Sequence, residues 1–429
     1  MKTLAHWLTF GWVLRYVSKK GKIVKSLLMI AIGISLLFGT HGCADRVTEP
    51  VETPTLLYVV VDTGQDKCYD NSREITCPQP GEAFYGQDAQ YQGLPPAYQD
   101  NGDGTVTDLN TGLMWQKTPG NKVTYDEAVA GVNDFNLAGY DDWRLPTIKE
   151  LYSLILFSGI DISPESVEPS VPFIDTNYFD FEYGDISAGE RIIDAQYWSS
   201  TEYVGTTMNG AATVFGVNFA DGRIKGYLRD TGPQGQPMRG FVRYVRGNLE
   251  YGINNFMDNG DGTITDNATG LMWSEADSGE GMDWEGALAW VQQKNGENYL
   301  GYNDWRLPNA KALQSMVDYT RSLQTTNSAA IDPVFKVTPI LDERGETNYP
   351  FYWTSTTHVT ETGGGQSAVY IAFGEALGYM MNSWIDVHGA GAQRSDPKSG
   401  DPGRYPYGHG PQGDAIRIYN YVRCVRDVN

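Results

Sequence analysis

The sequence predicts an α+β protein built as two tandem domains, each with two helices and an antiparallel sheet with long loops. Five motif blocks recur in the same order. Hairpin and helix-cap signals fall at matching places in both copies. The 49 glycines, 21 prolines and 27 tyrosines favour turns and short strands over long helices. With 429 residues, 41% of them hydrophobic, the chain can supply two domains with a core each.

The blocks define the copies. Asp100-Asn101-Gly102-Asp103-Gly104-Thr105 returns as Asp258-Asn259-Gly260-Asp261-Gly262-Thr263. Thr111–Trp115 returns as Thr269–Trp273, and Gly139–Pro146 as Gly301–Pro308. Tyr197–Thr201 returns as Tyr352–Thr356, and Val242–Arg246 as Val422–Arg426. The first copy spans 85–248 and the second 254–429, with a short link at Gly247–Asn255.

Within each copy, Asn-Gly and Asp-Gly ahead of Thr-Val-Thr or Thr-Ile-Thr signal a hairpin, and Leu-Met-Trp continues as a buried strand. Thr124 caps a first helix, with Glu127 closing a capping box and Ala128, Val132 and Phe135 on the inner face. Thr147 and Glu150 open a second, which buries Leu151, Leu154 and Ile155. Asp283 and Asn309 are the caps in the second copy. Asp142 and Asp304 are expected to pair with the neighbouring Arg144 and Arg306 and brace the loop. Tyr-Trp-Ser-Ser-Thr starts the strand-rich half, and alternating Phe241–Arg246 closes it as a strand.

Ahead of the copies, Lys19, Lys20, Lys22 and Lys25 precede an apolar run, Ser26–Gly39, that is short for a membrane span. Thr40-His41-Gly42-Cys43 follows. Residues 1–43 therefore read as a signal peptide of lipoprotein type, lipidated at Cys43, with an uncleaved signal anchor as the alternative. Either one exports the remainder to the cell envelope, membrane-anchored and facing the periplasm or the cell surface. Residues 44–84 read as a tether, Ala44–Thr55, and a lead-in. Within the lead-in Cys68 and Cys77 are placed for a local disulfide in an oxidising compartment, and Cys424 is left as a buried thiol. The formal charge is −21. Without the leader, 26 Lys and Arg face 53 Asp and Glu, a charge of −27. That surface repels nucleic acid and other polyanions and suits neutral or cationic ligands.

Gly-Leu-Met-Trp, Asp-Trp-Arg-Leu-Pro, Tyr-Trp-[Ser/Thr]-Ser-Thr and Val-Arg-x-Val-Arg together resemble the Lcl C-terminal domain family of bacteria, over about residues 97–429. The segments around Asp62–Gln65, Cys68–Cys77 and Tyr85–Ala89 resemble the lead-in of many such secreted proteins. The resemblance implies a C-type-lectin-like or formylglycine-generating-enzyme-like α+β scaffold and adhesin-like surface exposure. It also implies glycosaminoglycan binding in the founding adhesin, which the charge of this chain opposes.

Candidate chemistry is sparse. The Asp-Asn-Gly-Asp-Gly-Thr turns lack the spacing of an EF-hand loop. No cofactor is expected, with calcium on Asp100, Asp103 and Asp108 as the weaker alternative to plain turn chemistry. After the leader the histidines are His358, His388 and His409, all in the second copy, so no Ser–His or Cys–His mechanism is shared by both copies. A mechanism confined to Ser355 and His358 is the remaining option, and the chain reads as a non-enzyme. Recognition is assigned to segments that differ between the copies. These are a long loop from Met380 to Asp414, with Trp384, His388, Arg404, Tyr405, Tyr407 and His409, and its shorter counterpart Tyr227–Gly240, with Arg229 and Arg239. The leading expectation is a tandem lectin-like protein binding glycan or another surface macromolecule. An assembly protein binding envelope proteins comes second, and an enzyme acting on polysaccharide third.

Overall fold

The computed structural model describes residues 56–428, apart from 233–234 and 363. The predicted leader with Cys43 and the Ala44–Thr55 tether lie outside the described residues, as do residues 233–234 of the Tyr227–Gly240 segment. In the first copy, β1 (Tyr98–Asp100), β2 (Thr105–Asp108) and β3 (Leu113–Gln116) precede α1 (Tyr125–Gly131) and α2 (Ile148–Ser153). Strands β4 (Gln196–Glu202), β5 (Thr213–Asn218), β6 (Arg223–Leu228) and β7 (Val245–Gly247) follow. The second copy repeats this as β8 (Phe256–Asp258), β9 (Thr263–Asp266), β10 (Leu271–Ser274), α3 (Trp284–Gly296) and α4 (Ala310–Ser315). A further short helix, α5 (Leu323–Thr326), precedes β11 (Phe351–Thr360), β12 (Gly364–Ala372), β13 (Leu377–Met380), β14 (Ser383–Asp386), β15 (Gln393–Pro397) and β16 (Val425–Asp427). The fold is α+β, mostly antiparallel sheet, with a third helix in the second copy.

The capping signals hold. Thr124 and Thr147 form capping boxes with Glu127 and Glu150, and Asp283 and Asn309 accept from the Gly286 and Ala312 N–H. Helix α1 stops at Gly131, so Val132 and Phe135 lie beyond it.

Each copy closes its own four-stranded sheet, β1-β2-β3-β7 or β8-β9-β10-β16. The remaining strands form one six-stranded sheet across both copies, in the order β11-β12-β15-β6-β5-β4. Strands β15 and β6 meet antiparallel, Gln393 opposite Ile224. Because β4, β5 and β6 correspond to β11, β12 and β15, the sheet reads alike from both edges. The copies are thus related by a pseudo-two-fold at the junction, as subunits are in a two-fold dimer. The junction removes two exposed strand edges. The expected core per copy is only half the picture. Leu151 and Tyr152 of the first copy share a cluster with Leu313 and Met316 of the second. Smaller clusters around Trp143 and Trp198, and around Trp284, Trp305 and Trp353, belong to single copies.

The helices cross the axis reciprocally. Lys149 of α2 donates to the Ser315 carbonyl of α4 at 2.6 Å. Lys311 of α4 donates to the Ser153 carbonyl of α2 at 2.8 Å. Each also reaches the segment ahead of the opposite copy, Lys149 to Gly252 and Asn254, Lys311 to the Asp62 carbonyl.

Most of the repeated motif residues turn out to be braces. Arg243 and Arg423 are fully buried. Arg243 donates to the carbonyls of Gln116, Lys117 and Asp180, and Arg423 to those of Ser274, Glu275 and Lys336. Phe241–Tyr244 is no regular strand, and only Val245–Gly247 pairs in a ladder. Asp142 and Asp304 pair with Arg246 and Arg426, at 2.6 and 2.7 Å, rather than with their neighbours. Arg144 instead forks onto Glu150, and Arg306 onto Asp427. In the Tyr-Trp motif the indoles of Trp198 and Trp353 donate to the Val123 and Met282 carbonyls. Thr201 and Thr356 accept from the first amides of α2 and α4.

Cys68 and Cys77 are disulfide-bonded, and Cys424 is a buried free thiol. From residue 56 onward the lead-in packs against both copies. The Gln65 amide donates to the carbonyls of Phe157 in the first copy and Thr357 in the second, and accepts from the Thr357 N–H. Asp88 is buried and accepts from Thr63 and Thr356, and burial pushes its carboxyl up to about 6.

Candidate functional site

The segment expected as one long loop, Met380–Asp414, is not one. It contains β14 and β15, and β15 makes the junction between the copies. The insertion proper is the hairpin β13–β14, which stands between β12 and β15 where the first copy has only a tight turn between β5 and β6. Met381 and Asn382 form its tip, both at positive φ (51° and 62°), the backbone of a two-residue hairpin turn.

Across this hairpin Tyr379 lies opposite Trp384, rings 5.4 Å apart. Tyr407, 65% exposed, closes on Tyr379 at 4.9 Å. Tyr405 stands edge-on to His409 at 6.1 Å, with Arg404 exposed beside it. The structure therefore gathers Trp384 and Tyr407 around Tyr379, a residue just outside the expected loop. Three rings with polar tips make a surface suited to stacking on a sugar face or an amide.

His388, expected on the ligand surface, is buried beneath it. Its ring meets Asp414 at 3.0 Å, and Arg394 pairs with the same carboxylate. Burial and the Arg394 charge hold the imidazole down to about 4, so it is neutral at pH 7. Burial pulls the Asp414 carboxyl up, but Arg394 and His388 hold it well below the usual carboxylate range. The main chain of Asp414 exchanges both hydrogen bonds with His409, and neighbouring Gly413 accepts from the Tyr379 N–H. The Gly413–Asp414 segment thus ties the 398–414 loop to Tyr379 of the hairpin through its main chain, and to His388 and Arg394 through the Asp414 carboxylate.

Arg229 and Arg239 lie on the first copy, paired with acids beside α1. Arg229 reaches Asp126 at 3.2 Å and covers the Tyr125 ring, and Arg239 reaches Glu127 at 3.2 Å. Exposed pairs of this kind add about 0–1 kcal/mol. Among the described residues the ring that Arg229 covers is Tyr125 of the first copy, away from the platform.

The hairpin carboxylates serve their own turns. Asp100 accepts from the Gly102 N–H and Lys117, Asp103 from Thr105, and Asp108, at the far end of β2, from Asn110 and Thr111. Among the described residues no three His, Cys, Asp or Glu side chains are grouped to hold a metal. His358 is fully buried, edge-on to Phe157 and Phe173. Burial and the Arg223 charge hold it well below the usual imidazole range.

The motifs, placed alike in both halves, match the family model for the Lcl C-terminal domain at residues 104–246 and again at 262–387. The chain belongs to the Lcl C-terminal domain family. The second match ends within the segment leading to β15, so Tyr379 and Trp384 fall inside the Lcl C-terminal domain while Tyr405, Tyr407 and His409 lie beyond it. A search of the curated proteins finds no match.

Proposed function

We propose that this chain is an exported cell-envelope binding protein, held at the membrane through its N-terminus. It recognises glycan or another surface macromolecule through the aromatic platform on a C-type-lectin-like scaffold, without catalysis. The observation that carries this reading is the group of half-buried Trp384 and Tyr379 with exposed Tyr407, set on a buried Asp414–Arg394–His388 foundation. A buried ionic foundation is a costly way to order a surface loop, and it suits a surface whose shape matters. Family membership, the disulfide and the charge of −27 without the leader support an oxidising, extracytoplasmic setting and a neutral or cationic ligand. Lipid attachment at Cys43 is part of the proposal. Among the described residues no helix is long and apolar enough to cross a membrane.

The test is a panel of neutral and cationic oligosaccharides titrated against the full chain, since the second copy shares its sheet with the first. Trp384→Ala or Tyr407→Ala should weaken a bound glycan about tenfold, the loss of about 1.4 kcal/mol of stacking. Glycan binding that both substitutions leave unchanged would rule out the platform as the site.

A further inference from the structure

The pseudo-two-fold relates two grooves, and only one of them is filled by the described residues. In the second copy, the lead-in runs between β11 and the Leu156–Phe157 turn of the first copy. There Gln65 takes both main-chain groups of Thr357, Thr63 accepts from the Phe157 N–H at 2.7 Å, and Gly64 sits against Leu156. Thr356, Thr357 and Phe157 are consequently buried.

The counterpart groove lies between β4 and the Met316–Thr320 turn of the second copy. Thr201 stands for Thr356. Glu202 stands for Thr357, each holding the same register (Glu202 opposite Val214, Thr357 opposite Ala368). Tyr319 stands for Phe157. None of the described residues runs through this groove. It is an open cleft of about 410 Å³, floored by Met316 and Val317 and bounded by Thr201, Tyr319 and the Gly252–Asn254 link. Glu202 is exposed and Tyr319 half-buried, and among the described residues the Tyr319 N–H meets no protein acceptor.

We propose that this groove is a docking site for an extended peptide that carries a primary-amide side chain, bound as the lead-in binds its own groove. Main-chain bonding to Tyr319 gives the strand its place, and the amide fork on Glu202 gives the side-chain preference. Asp318 and Asp332 line the cleft, and its lysine, Lys149, is spent on the Gly252 and Ser315 carbonyls and on Asn254, so acidic peptides are rejected and neutral or basic ones accepted. The site is separate from the aromatic platform and stands without it.

The probe is a capped peptide of residues 61–66 with Asp62→Asn and Asp66→Asn, titrated against the full chain by fluorescence anisotropy. One saturable site per chain is expected. Gln65→Ala in the peptide should weaken it at least tenfold, and Thr320→Trp on the exposed rim of the cleft should abolish it, while Tyr407→Ala leaves it unchanged. Absence of saturable binding, or binding that survives either Gln65→Ala or Thr320→Trp, overturns the proposal.

Discussion

Arg423→Ala is expected to cost about 3–5 kcal/mol of folding free energy, and Arg243→Ala the same. Both guanidinium groups are fully buried, and neither has a carboxylate among its hydrogen-bond partners. Each instead serves three carbonyls at a point where strand, turn and a distant loop converge. Each also lies over two rings, Arg243 over Phe179 and Tyr197, Arg423 over Phe335 and Tyr352. Truncation leaves buried acceptors unpaired, at about 1–3 kcal/mol apiece before relaxation, and opens a cavity between aromatic rings. Lysine cannot fork to three acceptors, so Arg423→Lys should recover only part of the loss. Urea midpoints report the effect. A loss under about 1 kcal/mol in both alanine variants would mean that the carbonyls are satisfied another way.

The second large effect concerns pH. Burial pulls Lys311 down to about 7 and Lys149 down to about 8. An unfolded lysine keeps its proton to about pH 10.4. Between pH 7 and that value the unfolded chain therefore binds more protons than the folded one, and stability rises with pH. Lys311 alone supplies up to about 5 kcal/mol over this window, because one proton of difference is worth about 1.4 kcal/mol for each pH unit crossed. Below pH 7 its contribution is flat. Lys311→Met removes it, so the stability of the parent chain should climb against the variant from pH 7 to 10. Tyrosine ionisation is common to both chains and cancels. Denaturant curves at pH 7, 8.5 and 10 check this, and parallel pH profiles would show that Lys311 stays protonated in the fold.

Much of the scaffold was legible because it is local. Thr124, Thr147, Asp283 and Asn309 cap helices through contacts within three residues, and the Asn-Gly/Asp-Gly hairpins close within one turn. Cys68 and Cys77 are nine residues apart and bonded. What was not legible depends on partners distant in sequence. Arg243 within an alternating stretch looks outward-facing, and only the carbonyls of residues 116, 117 and 180 explain its burial. The glycines around His388 resemble a loose loop, yet they lead into β15, whose pairing with β6 no periodicity encodes. The β13–β14 turn carries Met381 and Asn382 rather than Asn-Gly, which hid the Tyr379–Trp384 pair. The burial of Lys149 and Lys311 has no local signal, because their acceptors belong to the other copy.

The two copies form one body, and the proposed recognition surface sits where the symmetry is broken. Equilibrium urea unfolding of the chain, followed by tryptophan fluorescence and far-UV circular dichroism, tests the single body most directly. Trp115 and Trp198 report on the first copy, and Trp273, Trp284 and Trp353 on the second, all fully buried. A shared sheet and a shared core predict one cooperative transition, coincident by both probes and retained when the tryptophans of either copy are replaced by phenylalanine. Two separated transitions, one for each set of tryptophans, would contradict it.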